Sequence, residues 1–99
     1  MTPEGKTKRE INKILGYFQE VWWYMPVPSG FGKQTVDYIG CAAGEFFCIE
    51  AKKAGGKPTE LQAKNLADVQ MAKGKTFVIN GTMGYQHLHG WLKERCSYK

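Results

Sequence analysis

The segment Phe46-Phe47-Cys48-Ile49-Glu50-Ala51-Lys52 constrains this chain most. It is an apolar, strand-forming run that ends in a glutamate and a lysine. Side chains alternate along a strand, so Glu50 and Lys52 share a face, about 6–7 Å apart. Just before it, Ala43-Gly44 reads as a tight turn between strands at 35–42 and 45–52. With those two as turn residues, Ala42 pairs with Glu45, and counting outward sets Asp37 opposite Glu50. Opposed residues hold their Cβ atoms about 4.5–5.5 Å apart on one face, so Asp37, Glu50 and Lys52 converge on one patch. A four-residue turn centred on the same bond keeps this pairing, whereas a three-residue turn slips it by one.

Two carboxylates held that close repel each other. A shared proton could offset the repulsion, or Lys52 could. A divalent cation does so best, and hard oxygen ligands suit Mg²⁺ or Mn²⁺. Two carboxylates, a backbone carbonyl and several waters make an octahedral site able to activate a water and hold a phosphate oxygen. Lys52 beside it can stabilise charge in the transition state. Such a patch is equipped for phosphodiester hydrolysis. The same three residues also read as a half-exposed salt-bridge cluster, because charge clusters arise for structural reasons too.

The rest of the chain supplies a frame for that patch. Thr2 can cap a helix with Pro3 at its first position. Ile11, Ile14, Leu15 and Phe18 give that helix one apolar stripe. Residues 21–25 are aromatic and strand-prone, ended by Pro26 and Pro28. Residues 29–33 form a glycine-rich loop that lacks phosphate-loop spacing. A second helix is expected over 59–73, with Leu61, Leu66, Val69 and Ala72 inward and Gly74 as a left-handed cap. Residues 76–80 read as a short buried strand, and 85–95 as a third helix carrying Leu88, Trp91 and Leu92. The expected class is α/β with a mixed sheet, in the order α-β-β-β-α-β-α. An antiparallel meander comes first and a parallel crossover leads to the last strand.

At 99 residues, the chain (1–99) reads as a single domain with one small core. With 42% apolar and 23% charged residues it belongs to the globular class rather than the disordered one. No apolar stretch approaches the roughly 20 residues of a membrane span, and the polar opening MTPEGKTKRE predicts no signal peptide. A net charge of +5 favours polyanionic partners only mildly. Three cysteines, Cys41, Cys48 and Cys96, form neither a disulfide framework nor a zinc ribbon. Cys41 and Cys48 read as buried thiols of a reducing, cytoplasmic compartment. His87 and His89 have no partner cysteines at finger spacing and are read as ordinary polar residues. Trp22, Trp23 and Trp91 are read as core or dimer contacts.

Three stretches now stand in order. Gly32-Lys33-Gln34-Thr35-Val36-Asp37-Tyr38-Ile39-Gly40 is followed by Ile49-Glu50-Ala51-Lys52-Lys53, and Leu61-Gln62 lies on a helix. This set resembles the PD-(D/E)XK nuclease pattern and, more narrowly, its VRR-NUC branch in the small stand-alone form. Gly74-Lys75-Thr76-Phe77-Val78-Ile79 matches the strand that follows in that family, so the likeness covers about residues 3–81. Glu-x-Lys alone is weak, and the ordered set carries the resemblance. Val36 stands where the family often has proline, which the chemistry does not require.

The resemblance implies a metal-dependent endonuclease acting on DNA. Asp37 and Glu50, helped by the Ala51 carbonyl, would ligate Mg²⁺ or Mn²⁺, with Lys52 catalytic and Gln62 positioning the site. Glu4 matches the acidic residue of the family's first helix, and Glu10 is the alternative for that place. Each has a plainer role as well. Thr59-x-x-Gln62 is a capping box, and Glu4 suits a helix N-terminus whatever the function. Phe31, Lys33, Lys53 and Lys57 are the candidate nucleic-acid contacts. The resemblance further implies a Holliday-junction-resolvase-like homodimer that prefers branched DNA such as four-way junctions. Replication, recombination or repair would be its setting, with no organic cofactor and no membrane partner. The alternatives are a non-catalytic nucleic-acid-binding module that keeps the nuclease fold, and a small basic protein-binding domain.

Overall fold

The computed structural model describes residues 1–27 and 35–99. Seven elements follow in chain order: α1 (Pro3–Gly16), β1 (Val21–Tyr24), β2 (Tyr38–Ala42), β3 (Glu45–Ala51), α2 (Glu60–Met71), β4 (Lys75–Ile79) and α3 (Thr82–Arg95). The order is the expected one, and the protein is α/β with a four-stranded mixed sheet and three helices.

The sheet runs β1-β2-β3-β4, antiparallel between its first three strands and parallel between β3 and β4. Ala43 and Gly44 form the β2–β3 turn with φ of 49° and 86°. Positive φ at both central positions matches the right-handed twist of the strands it joins. The register is the anticipated one: Ala42 pairs with Glu45 and Tyr38 with Ile49. β2 begins at Tyr38 rather than at residue 35, so Asp37 stands one step beyond the ladder, at a bend.

Alternation along β3 sorts its side chains. Phe47, Ile49 and Ala51 face the main core, which Ile11, Ile14, Leu15 and Phe18 close from the α1 side and Leu88 and Leu92 from α3. Cys48 faces the opposite layer, where Val36 and Leu66 pack with Ile39, Val69 and Val78. α2 is short and covers only part of that second face. Trp22, Tyr24 and Phe46 remain exposed there, while Trp23 and Trp91 pack on the main core. Cys48 is buried, but Cys41 is only half-buried, because it pairs with Trp22 and Phe46 on the part that α2 leaves open. His89 packs its ring against Phe18 and Tyr98.

Several boundaries differ from expectation, each for a packing reason. Leu61 and Ala72 are exposed, since the apolar contact of α2 with the sheet runs along Leu66 and Val69. The left-handed residue after α2 is Lys73, at φ 71°, and not Gly74. A Cβ on Gly74 would lie 2.7 Å from Val69 Cγ1 and 2.9 Å from Phe46 Cδ1, so the glycine is used for close approach. α3 starts at Thr82, ahead of its apolar pattern, because its first turn packs backbone against Ile79 at Gly84. Among the described residues no helix is long and apolar enough to cross a membrane.

Gly40 is the tightest point of the sheet. A Cβ there would meet the Phe47 ring at 2.5 Å and the Trp22 carbonyl oxygen at 2.6 Å. The second neighbour is backbone and cannot rotate away. Gly40→Ala is therefore expected to lower stability by about 1–3 kcal/mol, as overpacking does. Gly16→Ala, with open space around it, should not lower it. Urea denaturation of both variants checks this contrast.

Candidate active site

Glu50 is the penultimate residue of β3 and pairs with Val78 of β4. Strand alternation turns it away from the main core and toward the N-terminus of α2. It is 1% exposed, and among the described residues Thr7 is the other buried polar one. A carboxyl group buried so deeply needs hydrogen-bond donors or a counter-charge.

Gln62 supplies one donor. Thr59 caps α2 by accepting from the Gln62 N–H at 3.2 Å, and Gln62 Oε1 accepts from the Thr59 N–H at 2.9 Å. The other end of the same amide, Nε2, donates to Glu50 Oε1 at 3.1 Å. The capping role and the site role of Gln62 are thus made by opposite ends of one side chain. Lys52 Nζ stands 3.9 Å from the same Glu50 oxygen. Among the described residues, Glu50 Oε2 is buried and receives no hydrogen bond.

Asp37 is held by main chain rather than by the ladder. Its Oδ2 accepts from the Ala51 N–H at 2.8 Å, in effect extending β2 with a side chain. Its Oδ1 lies 3.5 Å from Lys8 Nζ. The Asp37 carboxyl comes within hydrogen-bonding reach of Glu50, a contact that is favourable only when a proton lies between them. Burial, then Asp37, pushes the Glu50 pKa up to about 8, with Lys52 opposing and Glu4 adding a little. Cys48, two residues before Glu50 on the same face of β3, is pushed up to about 11 by burial and by the Glu50 charge.

Lys52 is fixed from two sides. Its N–H donates to the Ile79 carbonyl at 2.9 Å, and its carbonyl accepts from Thr7 Oγ1 at 2.9 Å. Its side chain is 17% exposed, so the patch is more enclosed than a half-exposed surface cluster. An open cleft of about 460 Å³ lies alongside, lined by Thr2, Pro3, Glu4, Lys52, Lys53 and Lys57. Asn80 holds the loop carrying these lysines, donating to the Gly56 carbonyl at 2.7 Å and accepting from the Gly55 N–H at 3.1 Å. Glu4 borders this cleft and acts on Glu50, whereas Glu10 pairs with Lys13 at 3.3 Å on the exposed side of α1. Phe31 and Lys33 lie outside the described residues.

The donor set suits a hard divalent cation in part. Asp37 and Glu50 offer carboxylate oxygens, one of them buried without a donor, and the Ala51 main chain lies between Glu50 and Lys52. Among the described residues no group of three or more His, Cys, Asp or Glu side chains converges. The remaining ligands would be main chain and water, as magnesium sites commonly have.

Sequence reasoning missed Thr7, Lys8 and Tyr38. All three join α1 to the site. Tyr38 Oη lies 2.6 Å from Asn12 Oδ1 and 3.1 Å from the Lys8 carbonyl oxygen, and its single proton serves these two acceptors. A cue was present: Glu4, Thr7, Lys8 and Ile11 follow helical i, i+3, i+4, i+7 spacing and continue the apolar stripe toward the N-terminus.

The Glu50 shift makes stability depend on pH in the cation-free protein. Folded Glu50 holds its proton up to about 8, whereas the unfolded chain releases it near 4.5. The folded state therefore binds more protons in that window, and stability falls as pH rises through it. The expected loss between about pH 5 and pH 9 is on the order of 2–4 kcal/mol. Glu50→Gln keeps the shape without the titration and should flatten the profile, which urea melts across this range will show.

Comparison with family models, with curated proteins and with solved structures finds no match, so what this site does has to be argued from its own chemistry.

Proposed function

We propose that this protein is a metal-dependent endonuclease that hydrolyses phosphodiester bonds in DNA, built on a PD-(D/E)XK fold of the VRR-NUC kind. The observation that carries this reading is the buried Glu50 carboxyl, one oxygen without a donor, facing Asp37 and flanked by Lys52 and Gln62. Leaving a buried polar atom unsatisfied costs about 1–3 kcal/mol, and a site that recruits a cation has a use for it.

Asp37, Glu50 and the Ala51 carbonyl are the groups that would hold Mg²⁺ or Mn²⁺, with Glu4 close by. Such a cation, when bound, activates a water and neutralises charge on a phosphate oxygen. The chain's own residues do the rest. Lys52, aimed by its doubly anchored backbone, presents a positive charge where negative charge develops on the phosphate. Gln62 fixes the orientation of the Glu50 carboxyl. Lys53 and Lys57 border the cleft and would contact flanking phosphates, which gives affinity without sequence information. The preference for branched DNA, the homodimer and a place in replication, recombination or repair rest on the family resemblance.

A second reading is a nucleic-acid-binding module without catalysis. One observation favours it: a proton shared by Asp37 and Glu50 can satisfy the pair with no cation. Cleavage assays separate the two. A labelled four-way junction and the matching linear duplex are incubated with Mg²⁺, Mn²⁺ or EDTA. The nuclease reading expects cation-dependent cutting that Glu50→Gln and Asp37→Asn abolish. Lys52→Ala should slow cutting by about 10²–10³, the usual loss when a charge-stabilising group is removed. A metal-indifferent gel shift without cutting would assign the binding module instead. Equal cutting of junction and duplex would remove the branched-DNA preference alone.

A further inference from the structure

Lys8 has no part in the motif or in the chemistry proposed above. It projects from α1 one turn past Glu4 and next to Thr7, on the side that meets the site. Its Nζ lies 3.5 Å from Asp37 Oδ1. The other Asp37 oxygen is committed to the Ala51 N–H, so Oδ1 is the one an incoming cation must share. The Lys8 main chain is held in place, since its carbonyl accepts from Tyr38, the fully buried neighbour of Asp37. The side chain itself is 32% exposed and can swing on its flexible stem.

We propose, resting on the nuclease reading, that Lys8 is a resident counter-ion. It neutralises Asp37 while no divalent cation is bound, yields Oδ1 when one arrives, and then places its ammonium on the substrate phosphate. Charge balance requires something of this kind. Asp37 and Glu50 face each other, the Glu4 charge on α1 adds to the repulsion, and Lys52 pairs with Glu50 while Lys8 pairs with Asp37. A lysine suits the double task, because its ammonium is a compact point charge with three rotatable donors and no fixed fork. Its neighbour Thr7 holds the carbonyl of Lys52, which lines the cleft, so a displaced Lys8 starts from the side of α1 that faces it.

The proposal makes an unusual demand on one variant: Lys8→Met should improve cation binding and impair catalysis together. Calorimetric titration of the DNA-free protein with Mn²⁺ should show affinity rising about two- to five-fold, the value of removing one partly exposed competing charge. Turnover at saturating Mn²⁺ should fall about ten-fold or more. Lys8→Arg should keep the wild-type Mn²⁺ affinity. A purely structural role would move binding and turnover in the same direction, and thermal melting of each variant separates loss of fold from either effect. Mn²⁺ affinity in Lys8→Met equal to or below wild type would overturn the proposal. If wild type binds Mn²⁺ and cuts DNA while Lys8→Met matches it in both, the Lys8 role alone fails. If neither protein binds Mn²⁺, the cation site of the nuclease reading fails with it.

Discussion

Burying a carboxyl group at the end of a central strand is the constraint on which this structure turns. Glu50 has almost no contact with solvent, and an ionised carboxylate in such a place is unfavourable unless it is answered. The surrounding elements are arranged as answers. α2 begins where its capping glutamine can reach one oxygen, and Lys52 reaches the same oxygen from the same strand end. Asp37 adds a second carboxyl, which raises the demand for a proton or a cation. The outcome is a site that stores electrostatic tension at a place where the rest of the fold is firmly packed.

That firmness comes from α1 and β4 as much as from β3. The Lys52 main chain is pinned by Ile79 on one side and Thr7 on the other. Tyr38 ties α1 to β2 through the Lys8 carbonyl and the Asn12 side chain. Beneath them lies the apolar cluster of Ile11, Phe47, Ile49, Ile79 and Leu88. Close-packed cores of this kind resist small shifts, so the polar groups above them keep their spacing. Functional groups set on rigid elements are more sharply placed than groups on loops.

Much of this was legible in the residues. The Ala43-Gly44 turn determines the register as far as Tyr38 opposite Ile49, which brings Asp37 to the end of β3 that carries Glu50, because register moves in whole residues and a turn admits few choices. The double use of Gln62 was visible as two overlapping patterns, a capping box and a site residue. Other features were not legible. Gly74 looked like a left-handed cap, but its lack of a side chain serves contact with Val69 and Phe46, and Lys73 takes the strained backbone instead. Leu61 and Ala72 fit an inward helical stripe, yet α2 touches the sheet along a narrower line. Such outcomes depend on how closely two elements approach, which no local pattern encodes.

The sequence by itself determined the element order, the β2–β3 register and the convergence of Asp37, Glu50 and Lys52. These follow from alternation, turn chemistry and chain continuity, all of them local. Only the tertiary structure decided how deeply Glu50 is buried, which acidic residue of α1 borders the cleft, and that Thr7, Lys8 and Tyr38 join the site. Burial and counter-charge are sums over elements distant in the chain, and α1 stands some 45 residues from the lysine whose carbonyl it holds. The physical reason is that desolvation is set by everything packed around a group, whereas strand and helix periodicity is set by its neighbours in the chain.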